Sequence, residues 1–124
     1  MRFAMLIYET PEAFATRDED DPAPYRAAWR AYYQDMVAAG VFVGGDPLEL
    51  PHRGATVRVV EGRQHVQDGP YADTKEQLAG LAFLELPSLQ EAIAWAARCP
   101  AAAAGAVEVR ALAPETDRRI TGTA

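Results

Sequence analysis

The stretch RFAMLIY, residues 2–8, decides the fold. The apolar run is too short for a helix, and its Phe and Ile content suits a strand. Successive side chains of a strand point to opposite faces of a sheet, so Phe3, Met5 and Ile7 fall on one side and Ala4, Leu6 and Tyr8 on the other. Both sets are largely apolar. A strand of that kind is buried on both faces and belongs at the centre of a sheet.

Working outward, ETPEAFATRDEDDPAP (9–24) is acidic and proline-rich and reads as a surface loop with one helical turn at PEAFA. From Pro24 to Ala39 the apolar residues Tyr25, Trp29, Tyr32 and Met36 form one helical stripe, with Pro24 suited to the first turn and Gly40 to the position just past the end. Core packing accounts for these aromatics; a Tyr or Trp lining a pocket is the sharper reading. VFVGGDPLEL (41–50) is a short strand interrupted by Gly44 and Gly45, which mark a bulge or a close backbone approach. ATVRVV (55–60) and RQHVQ (63–67) flank Glu61-Gly62 as a hairpin. GLAFLEL (80–86) is another apolar strand. Ser88 and Glu91 make a capping box before LQEAIAWAARC, which Pro100 stops, and AVEVRAL (106–112) alternates as an edge strand does.

The order is strand, helix, strand, inserted hairpin, strand, helix, strand. That is an α+β chain of the ferredoxin-like split βαβ kind, with its first and third core strands at the sheet centre. The most apolar strands, RFAMLIY and GLAFLEL, fall at those two places. Both helices cover one face, so something must cover the other apolar side of RFAMLIY. A second copy packed sheet on sheet is the simplest cover, and the hairpin folding back is its rival. Residues 1–112 read as a single domain and 113–124 as a polar tail.

Composition sets outer bounds. The 124 residues, 49% hydrophobic and 24% charged, suit one globular domain. No apolar run approaches the roughly 20 residues of a membrane span, and MRFAMLIYETPEAF turns acidic where a signal peptide would continue, which leads to the expectation of a cytoplasmic protein without membrane partners. A net charge of −6 and a pI near 4.8 argue against nucleic acid, whose binding rests on clustered cations. Cys99 is the only cysteine, and His52 and His65 lie thirteen positions apart, so no metal set is read here. His52 is read as a loop residue, His65 as an exposed hairpin residue, and Cys99 as a small packed one.

The densest chemistry lies in QDGPYADTKEQLAG (67–80). Asp68 opens a turn built on Gly69 and Pro70, and it has two readings. As a structural residue its carboxylate accepts from backbone N–H groups two residues on; as a catalytic residue it is a general base at a pocket mouth. Tyr71 and Lys75 are its companion ligand-binding candidates. Asp73 or Thr74 is expected to cap a helical turn over ADTKEQ, with Glu76 closing the box. Tyr8, at the end of the first strand, either faces the same cavity or bonds within the core.

Three segments, DGPYADTKEQLAG, SLQEAIAWAARCP and AVEVRAL, resemble the DGPF subgroup of the YCII-related proteins. Tyr71 stands where the subgroup usually has Phe, and Ala79 where it often has Gly. The resemblance implies a dimeric α+β barrel of ferredoxin-like monomers. Other YCII-type members carry a His early in the first helix and an Asp in a D-P-Y segment after the second. Here PAPYRAAWR has no His and Cys99-Pro100-Ala101 replaces D-P-Y, so that pair does not carry over.

Two functions of different class follow. One is a small-molecule-binding protein acting as a lyase or isomerase by proton transfer, with no cofactor expected. The other is a non-catalytic homodimeric accessory protein tied to sigma-factor regulation, a partner implied by the resemblance and compatible with the acidic charge.

Overall fold

A computed structural model describes residues 1–18 and 24–114. The part of the acidic loop at 19–23 and the tail residues 115–124 lie outside the described residues. The strands are β1 (Arg2–Glu9), β2 (Phe42–Pro47), β3 (Ala55–Val60), β4 (Arg63–Asp68), β5 (Gln77–Glu85) and β6 (Ala106–Ala111). The helices are α1 (Pro11–Ala15), α2 (Pro24–Ala38), α3 (Leu89–Arg98) and α4 (Pro100–Ala104).

Strand parity organises the core. Phe3, Met5 and Ile7 of β1 are buried with Tyr32 and Met36 of α2 and Ala92 and Ala96 of α3 in one cluster. Phe3, Met5 and Leu84 are the largest fully buried side chains, and each such burial contributes about 1.5–3 kcal/mol. The four-stranded sheet has the order β2-β5-β1-β6, with every neighbouring pair antiparallel. β1 and β5 are thus central and β6 is an edge, the split βαβ arrangement expected from the element order.

Two irregularities in this sheet shape what lies above it. The register of β1 on β5 shifts after Ile7, which pairs with Gly80, while Tyr8 pairs with Leu78. Ala79 is left out of that ladder, and its carbonyl accepts from Leu48 N–H at 2.8 Å instead. The register of β2 on β5 shifts between Phe42 and Gly44. Gly45 has φ +148°, and a Cβ there would lie 2.3 Å from the Leu81 carbonyl oxygen, so only glycine lets the two backbones approach.

α2 ends as its sequence suggests. Gly40 (φ +74°) follows the last turn, with Val41 N–H donating to Met36 O at 3.1 Å and Gly40 N–H to Val37 O at 3.0 Å, the paired bonds of a Schellman stop. Ser88 caps α3 by accepting from Glu91 N–H at 3.2 Å. Pro100 ends α3 but also opens α4, a short helix the sequence reading did not include. Proline is tolerated at a first helical position because its missing N–H would have no partner there.

β3 and β4 form a separate two-stranded sheet, turned at Glu61 (φ +51°) and Gly62 (φ +76°), the two positive angles a tight hairpin of this twist requires. Within it only Thr56 is not exposed. The hairpin therefore does not fold back over the sheet, and Ala4, Leu6, Leu81 and Phe83 on the far face stay partly accessible. The helical turn expected over ADTKEQ is absent: Thr74 Oγ1 donates to Glu76 O at 2.6 Å and Gln77 Nε2 to Thr74 O at 2.6 Å, which holds the segment as bends. Among the described residues no helix is long and apolar enough to cross a membrane.

Candidate functional site

The alternation that buries Phe3, Met5 and Ile7 carries one step further, to Glu9. This carboxylate ends β1 on the core side and is 4% exposed, the only buried charged residue among those described. An unpaired buried carboxylate is costly, and two neighbours offset that cost here. The Tyr25 hydroxyl donates to Glu9 Oε2, and Arg17 Nη2 stands 3.8 Å from Oε1. Among the described residues Oε1 accepts no hydrogen bond.

Local structure brings these groups together. Thr10 caps α1 by accepting from Ala13 N–H at 3.3 Å, and the chain continues into a single 3₁₀ turn, Thr16–Asp18, that aims Arg17 inward. The guanidinium lies 4.9 Å from the Phe14 ring centroid. It donates to the Leu48 carbonyl and, at 3.1 Å, to the Ala79 carbonyl that the β5 bulge has freed. Tyr25 comes from the first turn of α2 and reaches Glu9, and Trp29, one turn on, lines the space that Glu9 also borders.

The result is a cleft of about 520 Å³ between α2 and the β2–β5 side of the sheet. Glu9 and Arg17 belong to its lining, Trp29, Tyr33 and Phe42 give aromatic walls, and Arg26 and Arg30 stand on the helix side. Tyr33 and Phe42 meet edge to face with centroids 5.0 Å apart. Burial, then the hydrogen bond to Glu9, pushes the Tyr25 phenol well above its ordinary pKa, so at neutral pH it is a donor. Chemically the cleft presents a carboxylate with one oxygen engaged and one available, flat apolar walls and positive charge.

Buried polar groups nearby serve the core. The Tyr32 hydroxyl donates to the Trp95 carbonyl at 2.8 Å, and burial raises its pKa also. Cys99, 2% exposed between α3 and α4, has its thiol pushed up to about 11 by burial. It is the packed residue expected. No group of three or more His, Cys, Asp or Glu suited to a metal ion occurs among the described residues.

The residues singled out in the sequence lie elsewhere. A second hollow, about 760 Å³, opens beside the base of the hairpin and includes Tyr8 and Tyr71 in its lining. Tyr71 is 75% exposed, with the Arg58 guanidinium 5.2 Å from its ring centroid. Asp68 and Lys75 are exposed and line neither hollow. Among the described residues the Asp68 side chain accepts no backbone hydrogen bond. The turn is held instead by Gly69 N–H to Gly54 O at 2.8 Å and by Thr56 Oγ1 to Gly69 O at 3.0 Å. Glu9 was missed, although the signal was present: it is the next odd-numbered position after Phe3, Met5 and Ile7.

Comparison with known proteins gives three findings. The profile of the YCII-related domain matches residues 1–116. An uncharacterised protein of Rhizobium meliloti (strain 1021) is 31% identical over 115 residues, covering 91% of this chain and 93% of that protein. The solved structure of 5-chloro-2-hydroxyhydroquinone dehydrochlorinase (TftG) from Burkholderia phenoliruptrix AC1100, in complex with 2,5-dihydroxybenzoquinone, superposes with a TM-score of 0.52 at 19% identity, over 91% of this chain and 94% of that one. The last shares the fold.

Proposed function

The chain belongs to the YCII-related domain family, and from that premise we propose that it binds a small planar molecule in the cleft beneath α2 and moves a proton there with Glu9, as a cofactor-free lyase or isomerase. One observation carries the reading: Glu9 is buried at the cleft with Oε2 held by Tyr25 and Oε1 without a hydrogen-bond donor among the described residues. A general base needs a positioned oxygen with an available lone pair. Asp68, exposed and outside both hollows, lacks that setting, which favours Glu9 as the base in this reading.

The step follows from the geometry. Oε1 takes a proton from an acidic C–H or O–H of the bound molecule, and the electron pair left behind moves into its conjugated system. In an isomerase the resulting carboxylic acid returns the proton at another atom; in a lyase a leaving group departs from the neighbouring carbon with its bonding electrons. Arg17, Arg26 and Arg30 stabilise the negative charge that develops. The structurally similar TftG is a dehydrochlorinase, and loss of HCl is a reaction that requires a base.

The working unit in this reading is a homodimer. The far face of the sheet has an apolar centre, Ala4, Leu6, Leu81 and Phe83, edged by the Arg2–Glu85 and Glu108–Arg110 ion pairs. An apolar middle with a polar rim suits a sheet-on-sheet interface.

The test is hydrogen–deuterium exchange at the acidic carbon of a panel of hydroxyquinols and enolisable cyclic ketones in D2O. Wild type accelerates exchange of at least one compound and Glu9→Gln does not, with both proteins folded by circular dichroism. Equal acceleration by Glu9→Gln would remove the proposal.

A further inference from the structure

We infer that the ligand of this cleft carries a carboxylate, held by Arg26 and Arg30 at the helix side while its planar body lies against Trp29 and Tyr33. The inference rests on the reading of the cleft as a small-molecule site and names the class of molecule it takes.

Arg26 and Arg30 are four residues apart, so they project from neighbouring positions on one face of α2, and both line the cleft. Most other arginines have carboxylate partners: Arg2 with Glu85, Arg17 with Glu9, Arg53 with Glu49, Arg98 with Asp35 and Arg110 with Glu108. Among the described residues Arg26 and Arg30 have none. In a chain of net charge −6, with more carboxylates than cations, two neighbouring guanidiniums beside an open cleft, without a carboxylate partner among the described residues, are arranged for an anion. Guanidinium forks match the two oxygens of a carboxylate.

The charge of the lining selects a monoanion. Three guanidiniums, those of Arg17, Arg26 and Arg30, face two carboxylates, Glu9 and Asp46. One negative charge neutralises the remaining positive one; a dianionic phosphate overshoots it. The aromatic residues set the shape of the rest, because a flat π-system stacks on Trp and Tyr and a branched aliphatic body does not. Between them these features describe an aryl or enol carboxylic acid, its acid group toward α2 and its exchangeable proton toward Glu9.

The test is an NMR titration of the full chain with benzoate, benzamide and phenyl phosphate as probes. Wild type should bind benzoate, with benzamide and phenyl phosphate weaker by roughly tenfold or more, the scale of one charge-assisted hydrogen bond. Arg26→Gln/Arg30→Gln should lose benzoate by a similar factor, and Arg26→Lys/Arg30→Lys should recover part of it. Arg26 is half-buried and Arg30 exposed, and circular dichroism verifies that the fold is kept. Glu9→Gln should keep benzoate binding or tighten it, because a negative charge is removed; anion recognition is thus read independently of proton transfer, and either can fail without the other. Absence of benzoate binding to wild type, equal binding of benzamide, tighter binding of phenyl phosphate, or an unaffected double Gln variant would each overturn the inference.

Discussion

The Tyr25 hydroxyl donates to Glu9 Oε2, so one oxygen of the buried carboxylate is occupied while the other accepts no hydrogen bond among the described residues. A hydrogen bond to a charged group contributes about 1.5–3 kcal/mol. Tyr25→Phe should lower stability by that order in a denaturant titration. If Tyr25 positions the base, the turnover number should fall much more than the Michaelis constant rises. A Tyr25→Phe protein as stable as wild type would show that the bond contributes nothing.

Alkaline pH should weaken the fold in a defined order. Burial raises the Cys99 thiol from 9.0 to about 11 and lifts the Tyr25 and Tyr32 phenols above 10.0. A group whose folded-state pKa is raised adds stability that is complete below its unfolded value and is lost as pH climbs toward the folded one. The melting temperature should therefore hold up to pH 9, fall between 9 and 11 as the unfolded chain ionises at Cys99, and fall further above 10 through the two tyrosines. Cys99→Ala should flatten the first part of that decline. The native thiol should also resist a disulfide reagent at pH 8 and react once the chain is unfolded. Rapid native labelling would contradict its burial.

Two glycines with positive φ should respond differently to a side chain. A Cβ at Gly45 collides with the Leu81 carbonyl, whereas one at Gly69 meets nothing within 4 Å and only strains the backbone. Gly69→Val should cost about 1–3 kcal/mol, and Gly45→Val should cost more than 4 or prevent folding. Beside them Asp68→Asn should change stability by less than about 0.5 kcal/mol, as exposed side chains without partners do. A larger effect at Asp68 would revive its reading as the residue that holds the turn. Urea titrations of the three variants decide the order.

The sheet-on-sheet dimer can be checked by mass. Light scattering at micromolar concentration should give about twice 13.5 kDa for wild type. Leu6→Glu, at the middle of the far face, should shift the mass toward the single chain, because a charge buried without a partner costs several kcal/mol. A single-chain mass for wild type would end the dimer proposal.

Element order and strand centrality were legible in the sequence because they rest on local periodicity: β1 and β5 are apolar between their ends, β6 alternates, and α2 shows its stripe between Pro24 and Gly40. The site was not legible in the same way. Glu9 becomes a cleft residue only when Arg17, Tyr25 and the Ala79 bulge converge on it, and those partners are 8, 16 and 70 positions away. The segment 67–80 drew attention through its dense polar composition, yet Asp68, Asp73 and Lys75 stay at the surface, and only Glu76 of its charged residues is half-buried. Parity was the available clue. An acidic residue in phase with the buried face of a central strand has to be paired, and its partners outline the site.

The two tryptophans separate the cleft from the rest of the molecule. Trp29 lines it and Trp95 does not. In a ¹⁵N-labelled sample titrated with a planar ligand found by the exchange screen, the indole N–H of Trp29 should shift together with the backbone amide of Glu9, while that of Trp95 and the amides of Gly69 and Tyr71 remain in place. Shifts confined to Gly69, Tyr71 and Tyr8, with Trp29 unmoved, would place the ligand in the second hollow and contradict the assignment of Glu9.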